Sequence, residues 1–276
     1  MEAREPIGII GLGAMGGRMA KRLIAAGHAC LGFDPAASAR AAFVEAGGAA
    51  LESVAAVAAR ARVILVVVID DDQVRAVCLG EGGIFASAAP GTVSVVMSSV
   101  TPEVCAELAR AASERGQHLV DAPMIRGEAA AAAGKLLLMV GGEKSVVDRL
   151  RPALAPIASD VAHLGEVGAG QVGKMVNNML LWATVLANQE GVAFAKRMGV
   201  DPNVLREALY ISSGDNWSLH TWETIVAQPK WWHQKDLAVM LGSAAENGIA
   251  LPFSAELKRQ MAEMSLEDAR RLFSGG

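Results

Sequence analysis

Pro6-Ile-Gly-Ile-Ile10 runs straight into Gly11-Leu-Gly13-Ala-Met-Gly16-Gly17, and the reading of this stretch decides the fold. The first five residues predict a short buried strand, and a helix follows the glycines through Ala26. G-x-G-x-x-G between a strand and a helix is the setting in which the motif binds a dinucleotide. Gly11 makes the tight turn, Gly13 lets backbone approach a pyrophosphate, and Gly16 lets the helix pack closely on the strand. The helix N-terminus attracts the anion. Gly11, Leu12, Gly13, Ala14, Met15 and Gly16 are therefore candidate cofactor contacts. A second strand, Ala29–Phe33, ends at Asp34, about where an acidic residue meets the adenosine ribose. A carboxylate there accepts from both ribose hydroxyls and repels a 2′-phosphate, which favours NAD over NADP. The same side chain could instead cap a helix beginning near Pro35. Arg40 lies further along and could reach a phosphate, so NADP stays admissible.

Outward from this unit, strands and helices keep alternating. Val63–Val68 is an almost unbroken β-branched run, as expected of a strand buried on both faces. Asp70-Asp71-Asp72 opens a helix through Val77, and capping explains the triplet better than a metal does. Val93–Met97 is a strand, Ser98–Thr101 a loop, and Pro102 opens a helix to Glu114. Strands His118–Asp121, Lys135–Val140 and Ser159–His163 follow, with a helix over Glu143–Leu154 between the last two. Ala129–Ala133 reads as a low-complexity linker. This is an α/β pattern, a Rossmann-type doubly wound sheet. Loops at the carboxyl ends of its strands line the ligand crevice. Val68, Ser98 and Ser99 are thus candidates for the nicotinamide end, although both serines could equally be caps.

Composition limits the alternatives. The chain has 276 residues, 52% hydrophobic and 20% charged, enough for about two domains. A net charge of −4 argues against a nucleic-acid partner. No apolar run approaches the ~20 residues of a membrane span. No signal peptide is expected, since Glu2, Arg4 and Glu5 precede the first strand. Three scattered cysteines fit reduced, buried thiols of a cytoplasmic protein. Histidines and cysteines lack ligand spacing, so no metal is expected, and there is no G-x-S-x-G elbow.

A second glycine cluster opens the rest of the chain: Gly165-Glu-Val-Gly168-Ala-Gly170-Gln-Val-Gly-Lys174-Met-Val-Asn-Asn178. A long apolar helix is predicted from Gln171 to about Arg197. Lys174 and Asn178 are four apart and share a face. Near the helix N-terminus, the dipole should lower the lysine's pKa and suit it to exchange a proton with an alkoxide. The alternative is a solvated surface lysine. Asp201 caps a helix to about Ile211. After the polar break Ser212–Asn216, Trp217 either shapes a pocket or belongs to a core or interface. Trp231-Trp232-His233 precedes the helix carrying Lys235, and His233 reads as packed rather than as a base. Helices Gln234–Asn247, Phe253–Met264 and Leu266–Phe273 complete the chain.

Taken in order, these motifs resemble the β-hydroxyacid dehydrogenase family, the group of 3-hydroxyisobutyrate dehydrogenase, which is 6-phosphogluconate dehydrogenase-like. The first is Gly11–Gly16 continuing as Gly17-Arg18-Met19-Ala20. The second is Asp121-Ala122-Pro123, the opening of the substrate signature. The third runs from Gly165 through Lys174 to Asn178 and matches at every fixed position. The fourth is Lys235-Asp236-Leu237. The resemblance implies Lys174 as general acid/base, with Asn178 holding substrate and lysine. It implies Lys235 near the nicotinamide and Asp236 supporting the lysine network. It also implies an all-α C-terminal domain joined by the long helix and used to form a homodimer or homotetramer. Residues 1–164 would bind the dinucleotide and 165–276 would serve substrate and assembly. One departure stands out: the substrate loop reads Met124-Ile125-Arg126-Gly127 where the family has a serine and glycines that bind the substrate carboxylate. Arg126 offers a planar fork for a carboxylate, phosphonate or sulfonate; otherwise it points to solvent or pairs with Glu128. The expected reaction is hydride transfer between a small anionic 3-hydroxy acid and its oxo form. An imine reductase and a catalytically silent dinucleotide-binding protein are the rivals, and Lys174 speaks for alcohol and carbonyl chemistry.

Overall fold

Ile7–Ile10 is buried at every position and forms β1, the strand around which the sheet assembles. The computed structural model describes residues 5–228 and 231–273; Glu2 and Arg4, used above, lie outside them. The remaining strands are β2 (Cys30–Phe33), β3 (Ala49–Ala50), β4 (Val63–Val66), β5 (Val93–Val96), β6 (His118–Asp121), β7 (Met124–Ile125), β8 (Leu136–Gly141) and β9 (Ala158–Gly165). Among the described residues they form one sheet in the order β3-β2-β1-β4-β5-β6-β8-β7, with β9 on β8. From β3 to β6 every pairing is parallel, with Ile7 opposite both Cys30 and Val63. The order reverses between β1 and β4, which is the switch point where doubly wound sheets open a crevice.

Helices cover both faces: α1 (Ala14–Ala25), α2 (Ala37–Glu45), α3 (Val54–Ala58), α4 (Asp71–Leu79), α5 (Ile84–Ser87), α6 (Pro102–Ser113), α7 (Gly127–Ala133) and α8 (Lys144–Leu154). Strand alternation divides the core in two. Ile9, Leu65, Val95 and Val120 face α1 and α8, packing with Met19, Leu23, Val147 and Leu150. Ile10, Ile64, Val66 and Val96 face α3, α4 and α6, packing with Val57, Val74, Val104 and Leu108. Two expected caps form, Asp70 on Gln73 N and Asp201 on Asn203 N, while the cap of α6 is Thr101 on Val104 N rather than Ser98 or Ser99. Cys30, Cys78 and Cys105 are free and buried, and burial pushes the first two thiols up to about 11 and about 12.

Two expectations are corrected. Ala129–Ala133 is no linker but most of α7. Its alanines have high intrinsic helix propensity, and Ala131 is fully buried in the first core. The stretch read as a loop at 124–127 begins as β7, antiparallel to β8 with Ile125 opposite Leu137.

The chain divides into two compact units, Met1–Lys174 and Met175–Gly276. The long helix α9 (Ala169–Arg197) crosses the division. Helices α10 (Pro202–Leu209), α11 (Trp217–His220), α12 (Trp222–Val226), α13 (His233–Glu246), α14 (Pro252–Glu263) and α15 (Leu266–Arg271) belong to the second unit. Its core gathers Trp182, Val185, Trp222, Trp231, Leu237, Leu257 and Met261. Among the described residues no helix is long and apolar enough to cross a membrane.

Candidate active site

The glycine turn shows why its residues are glycines. Gly11 sits at φ +94°, and a Cβ on Gly16 would lie 1.9 Å from the Gly11 carbonyl oxygen. Gly13 is the N-cap of α1 without a side-chain cap, and a Cβ there would meet nothing within 4 Å. Backbone N–H groups at the start of a twelve-residue helix, with open space beside them, suit a pyrophosphate. Leu12 is buried, while Ala14 is exposed and Met15 half-buried at the first turn.

Asp34 fastens the end of β2 to this turn. Its Oδ2 accepts from Leu12 N at 2.8 Å and its Oδ1 from Ala36 N at 2.8 Å. It does not cap α2, whose N-cap is Ala36. A carboxylate has about four lone-pair sites, so two bonds leave capacity for ribose hydroxyls. Arg40 is nearer than its place in the sequence suggests. One guanidinium nitrogen donates to the carbonyls of Asp34 at 2.6 Å and Pro35 at 3.0 Å.

At the carboxyl ends of β4 and β5, Ser98 is buried. Its hydroxyl accepts from Val68 N at 2.9 Å and donates to Val66 O at 3.4 Å. The hydroxyl thus joins two strand ends; Val68 and Ser99 are half-buried beside it.

The second glycine cluster is built around Asp121, which is completely buried. Its carboxylate accepts from Gly168 N at 2.6 Å and Gln171 N at 2.9 Å, two of the four donors a helix start leaves unmade. Burial pushes its pKa up, against the pull of those N–H groups. Gly168 takes φ +95°, and a Cβ on Gly170 would come within 2.4 Å of Met139 O and 2.7 Å of Asp121 Oδ2. The glycines therefore let α9 start directly on a buried carboxylate. The helix starts at Ala169, two residues before the expected Gln171, so Lys174 lies in its second turn. Dipole effects fall off within the first turn, which weakens that argument for a lowered lysine pKa.

Lys174 is half-buried, and its Nζ donates to Met124 O in β7 at 2.9 Å. Ile125 is 8% exposed. Arg126 stands at φ +82°, alone in the left-handed region among described residues other than glycine. Its guanidinium bonds Asp160 Oδ2 at 2.6 Å, Ser159 Oγ at 3.0 Å and Lys135 O at 3.2 Å. The pair holds the Asp160 carboxyl below the usual carboxylate range. Glu128, the partner considered from sequence, bonds Arg18 instead. Gly127 is exposed and begins α7.

In the second unit, Asn178 is buried and accepts from Asn177 Nδ2 at 3.1 Å. Asp236 Oδ2 accepts from Trp182 Nε1 at 2.9 Å, and Lys235 is half-buried in the first turn of α13. Trp217 is 52% exposed and so is not a core residue of its unit. His233 packs edge-on to Trp182 and Trp231, and burial lowers its pKa. Among the described residues no group of three or more His, Cys, Asp or Glu side chains is placed to hold a metal ion.

Residues 6–165 match a family profile described as the NAD binding domain of 6-phosphogluconate dehydrogenase. Residues 168–271 match one described as the NAD-binding region of NADP-dependent 3-hydroxyisobutyrate dehydrogenase. The chain belongs to the β-hydroxyacid dehydrogenase family. It is 33% identical to 2-(hydroxymethyl)glutarate dehydrogenase of Eubacterium barkeri, over 100% of this chain and 92% of that one. It is 34% identical to 3-hydroxyisobutyrate dehydrogenase of Pseudomonas aeruginosa, over 96% and 85%. The solved 3-hydroxyisobutyrate dehydrogenase of Mycobacterium tuberculosis with L-serine superposes with a TM-score of 0.88 at 27% identity, covering 98% of this chain and 99% of that one. As a β-hydroxyacid dehydrogenase the protein is an NAD(P)-dependent oxidoreductase acting on CH–OH groups. Its cofactor is NAD, with NADP also admitted.

Two residues of this dehydrogenase escaped the sequence reading. Asp121 was legible only as a motif opener, although it is an acidic residue at the carboxyl end of a strand, where the ligand crevice of a doubly wound sheet opens. Gln171 gave no periodic signal. Its position three before Lys174, on the same face of the helix, was the clue.

Proposed function

We propose that this dehydrogenase reversibly oxidises a small 3-hydroxy acid, or a phosphonate or sulfonate analogue, with Lys174 as general acid/base. The observation that carries the reading is the Lys174 Nζ bond to Met124 O, at the carboxyl-end side of β6. The names of the relatives support the substrate class. 2-(Hydroxymethyl)glutarate and 3-hydroxyisobutyrate both carry a CH₂OH on the carbon next to a carboxylate. Bound nicotinamide supplies the hydride acceptor. Lys174 takes the hydroxyl proton during oxidation and returns it on reduction. Met124 O fixes where that nitrogen stands. Asn178, one helical turn on, belongs to the same machinery, as do Met124, Gly127, Trp217, Lys235 and Asp236. The relatives above bear hydroxy-acid dehydrogenase names, which supports this reading over an imine reductase or a silent binding protein. In the same reading residues 1–164 serve the dinucleotide and 165–276 serve substrate and assembly, in a cytoplasmic homodimer or homotetramer.

Initial rates over 3-hydroxy carboxylates, 2-hydroxyalkyl phosphonates and hydroxyalkyl sulfonates, each with NAD and NADP, test the substrate class. Lys174→Ala should lower kcat by ~10²–10⁴-fold with cofactor binding nearly intact. Turnover at the wild-type rate in that variant would remove Lys174 from the role.

A further inference from the structure

Gln171 is 1% exposed, and both ends of its side-chain amide are bonded to the loop after β5. Its Nε2 donates to Ser98 O at 2.9 Å, and its Oε1 accepts from Val100 N at 3.2 Å. Its backbone N donates to Asp121 Oδ2 at 2.9 Å. Ser98 in turn holds Val68 N through its hydroxyl at 2.9 Å. The Gln171 side chain thus ties the Ser98–Val100 loop after β5 to the first turn of α9, and the side chains of Asp121 and Ser98 carry the connection on to the ends of β6 and β4. Lys174 follows three residues later, and its Nζ is set on Met124 O at 2.9 Å. The loop Ser98–Val100 lies at the carboxyl end of β5, on the crevice side of a doubly wound sheet.

We propose that Gln171 is a positioning residue that sets the acid/base lysine in register with the cofactor-bordering loop Ser98–Val100. The inference rests on the proposed role of Lys174. The amide is suited to the task because it donates and accepts at once across a fixed span without depending on its protonation state. Both of its loop partners are backbone groups, so neither bond depends on the rotamer of the residue it reaches. A displacement of about 1 Å between reacting groups can cost about 100-fold in rate, so a buried clamp one turn from the lysine has leverage on kcat.

Two variants test it. Gln171→Met keeps the volume and loses both bonds. Gln171→Glu keeps the acceptor for Val100 N and faces Ser98 O without a donor until its carboxyl is protonated. The substrate is the best-oxidised member of the 3-hydroxy carboxylate panel, and NADH binding is followed by fluorescence. For Gln171→Met we expect kcat to fall about 10- to 100-fold, with KM and NADH affinity within about threefold and faster amide exchange at Val100. For Gln171→Glu the deficit relative to wild type at the same pH should shrink as pH falls, because the protonated carboxyl regains a donor. A merely structural role would lower the melting temperature and leave kcat of the folded enzyme and that pH trend unmoved. Unchanged kcat, or unchanged exchange at Val100, overturns the proposal. A wild type that oxidises no hydroxy acid overturns the proposed function instead, and the exchange measurement then judges the clamp by itself.

Discussion

Asp121 shows how one side chain acts on several elements at once. It ends β6, is completely buried, and holds two N–H groups of the α9 start. Asp121→Asn keeps the shape but turns a donor toward one of those donors. Leaving a buried N–H unpaired should cost about 1–3 kcal/mol, read as a lower urea midpoint. The pH trend has a definite sign. Because the folded pKa is raised, the group's titration stabilises the fold fully below the ordinary value of 3.8 and loses that contribution as pH rises through the raised value. The advantage of wild type over Asp121→Asn should therefore be larger near pH 4 than near pH 7, and a series of urea midpoints checks this. Arg126 makes a second case. Its charge is engaged by Asp160 in an exposed pair of a kind worth only about 0–1 kcal/mol. Arg126→Gln and Asp160→Asn should then shift substrate KM alike and by less than about threefold. A large KM increase in the arginine variant alone would show that the guanidinium leaves Asp160 for the substrate anion.

For single elements, legibility in the sequence followed the strength of the local signal. β1 with its glycine turn, the β-branched β4 and the proline-led α6 each carry a period or a cap, and their positions came out within a few residues. α7 and β7 did not. An alanine run has no apolar period, and a two-residue strand has no room to show alternation. Both are held by partners outside their own few residues, β7 by Leu137 and Leu138 in β8. The Lys174–Asn178 spacing was readable, but the carboxylate under the helix start was not, because nothing local ties residue 121 to residue 168. α9 supplies a paired test of its glycines. Gly170→Ala forces a Cβ to 2.4 Å from Met139 O, whereas Gly191→Ala meets nothing within 4 Å. Gly170→Ala should destabilise by several kcal/mol in the manner of core overpacking, typically about 1–3 and occasionally more. Gly191→Ala should stabilise by about 0.5–1 kcal/mol through helix propensity. Thermal melts of the two variants check both signs.

Over the whole molecule, the second unit leaves much apolar surface uncovered. Leu180 and Phe194 on α9 are 55% and 67% exposed, Met198 just after it is 67% exposed, and Phe253 on α14 is 61% exposed. Large exposed apolar side chains gathered along helices mark association surfaces. Sedimentation should therefore find a homo-oligomer, and Leu180→Asp with Phe194→Asp should shift the protein toward monomer. The cysteines have a different consequence. All three thiols lie in the unit Met1–Lys174, buried and held protonated, and the helical unit has none. Alkylation by iodoacetamide must wait for the sheet to open. The rate of labelling is therefore a clock that reads the opening of the dinucleotide-binding unit and stays silent when only the helices fray.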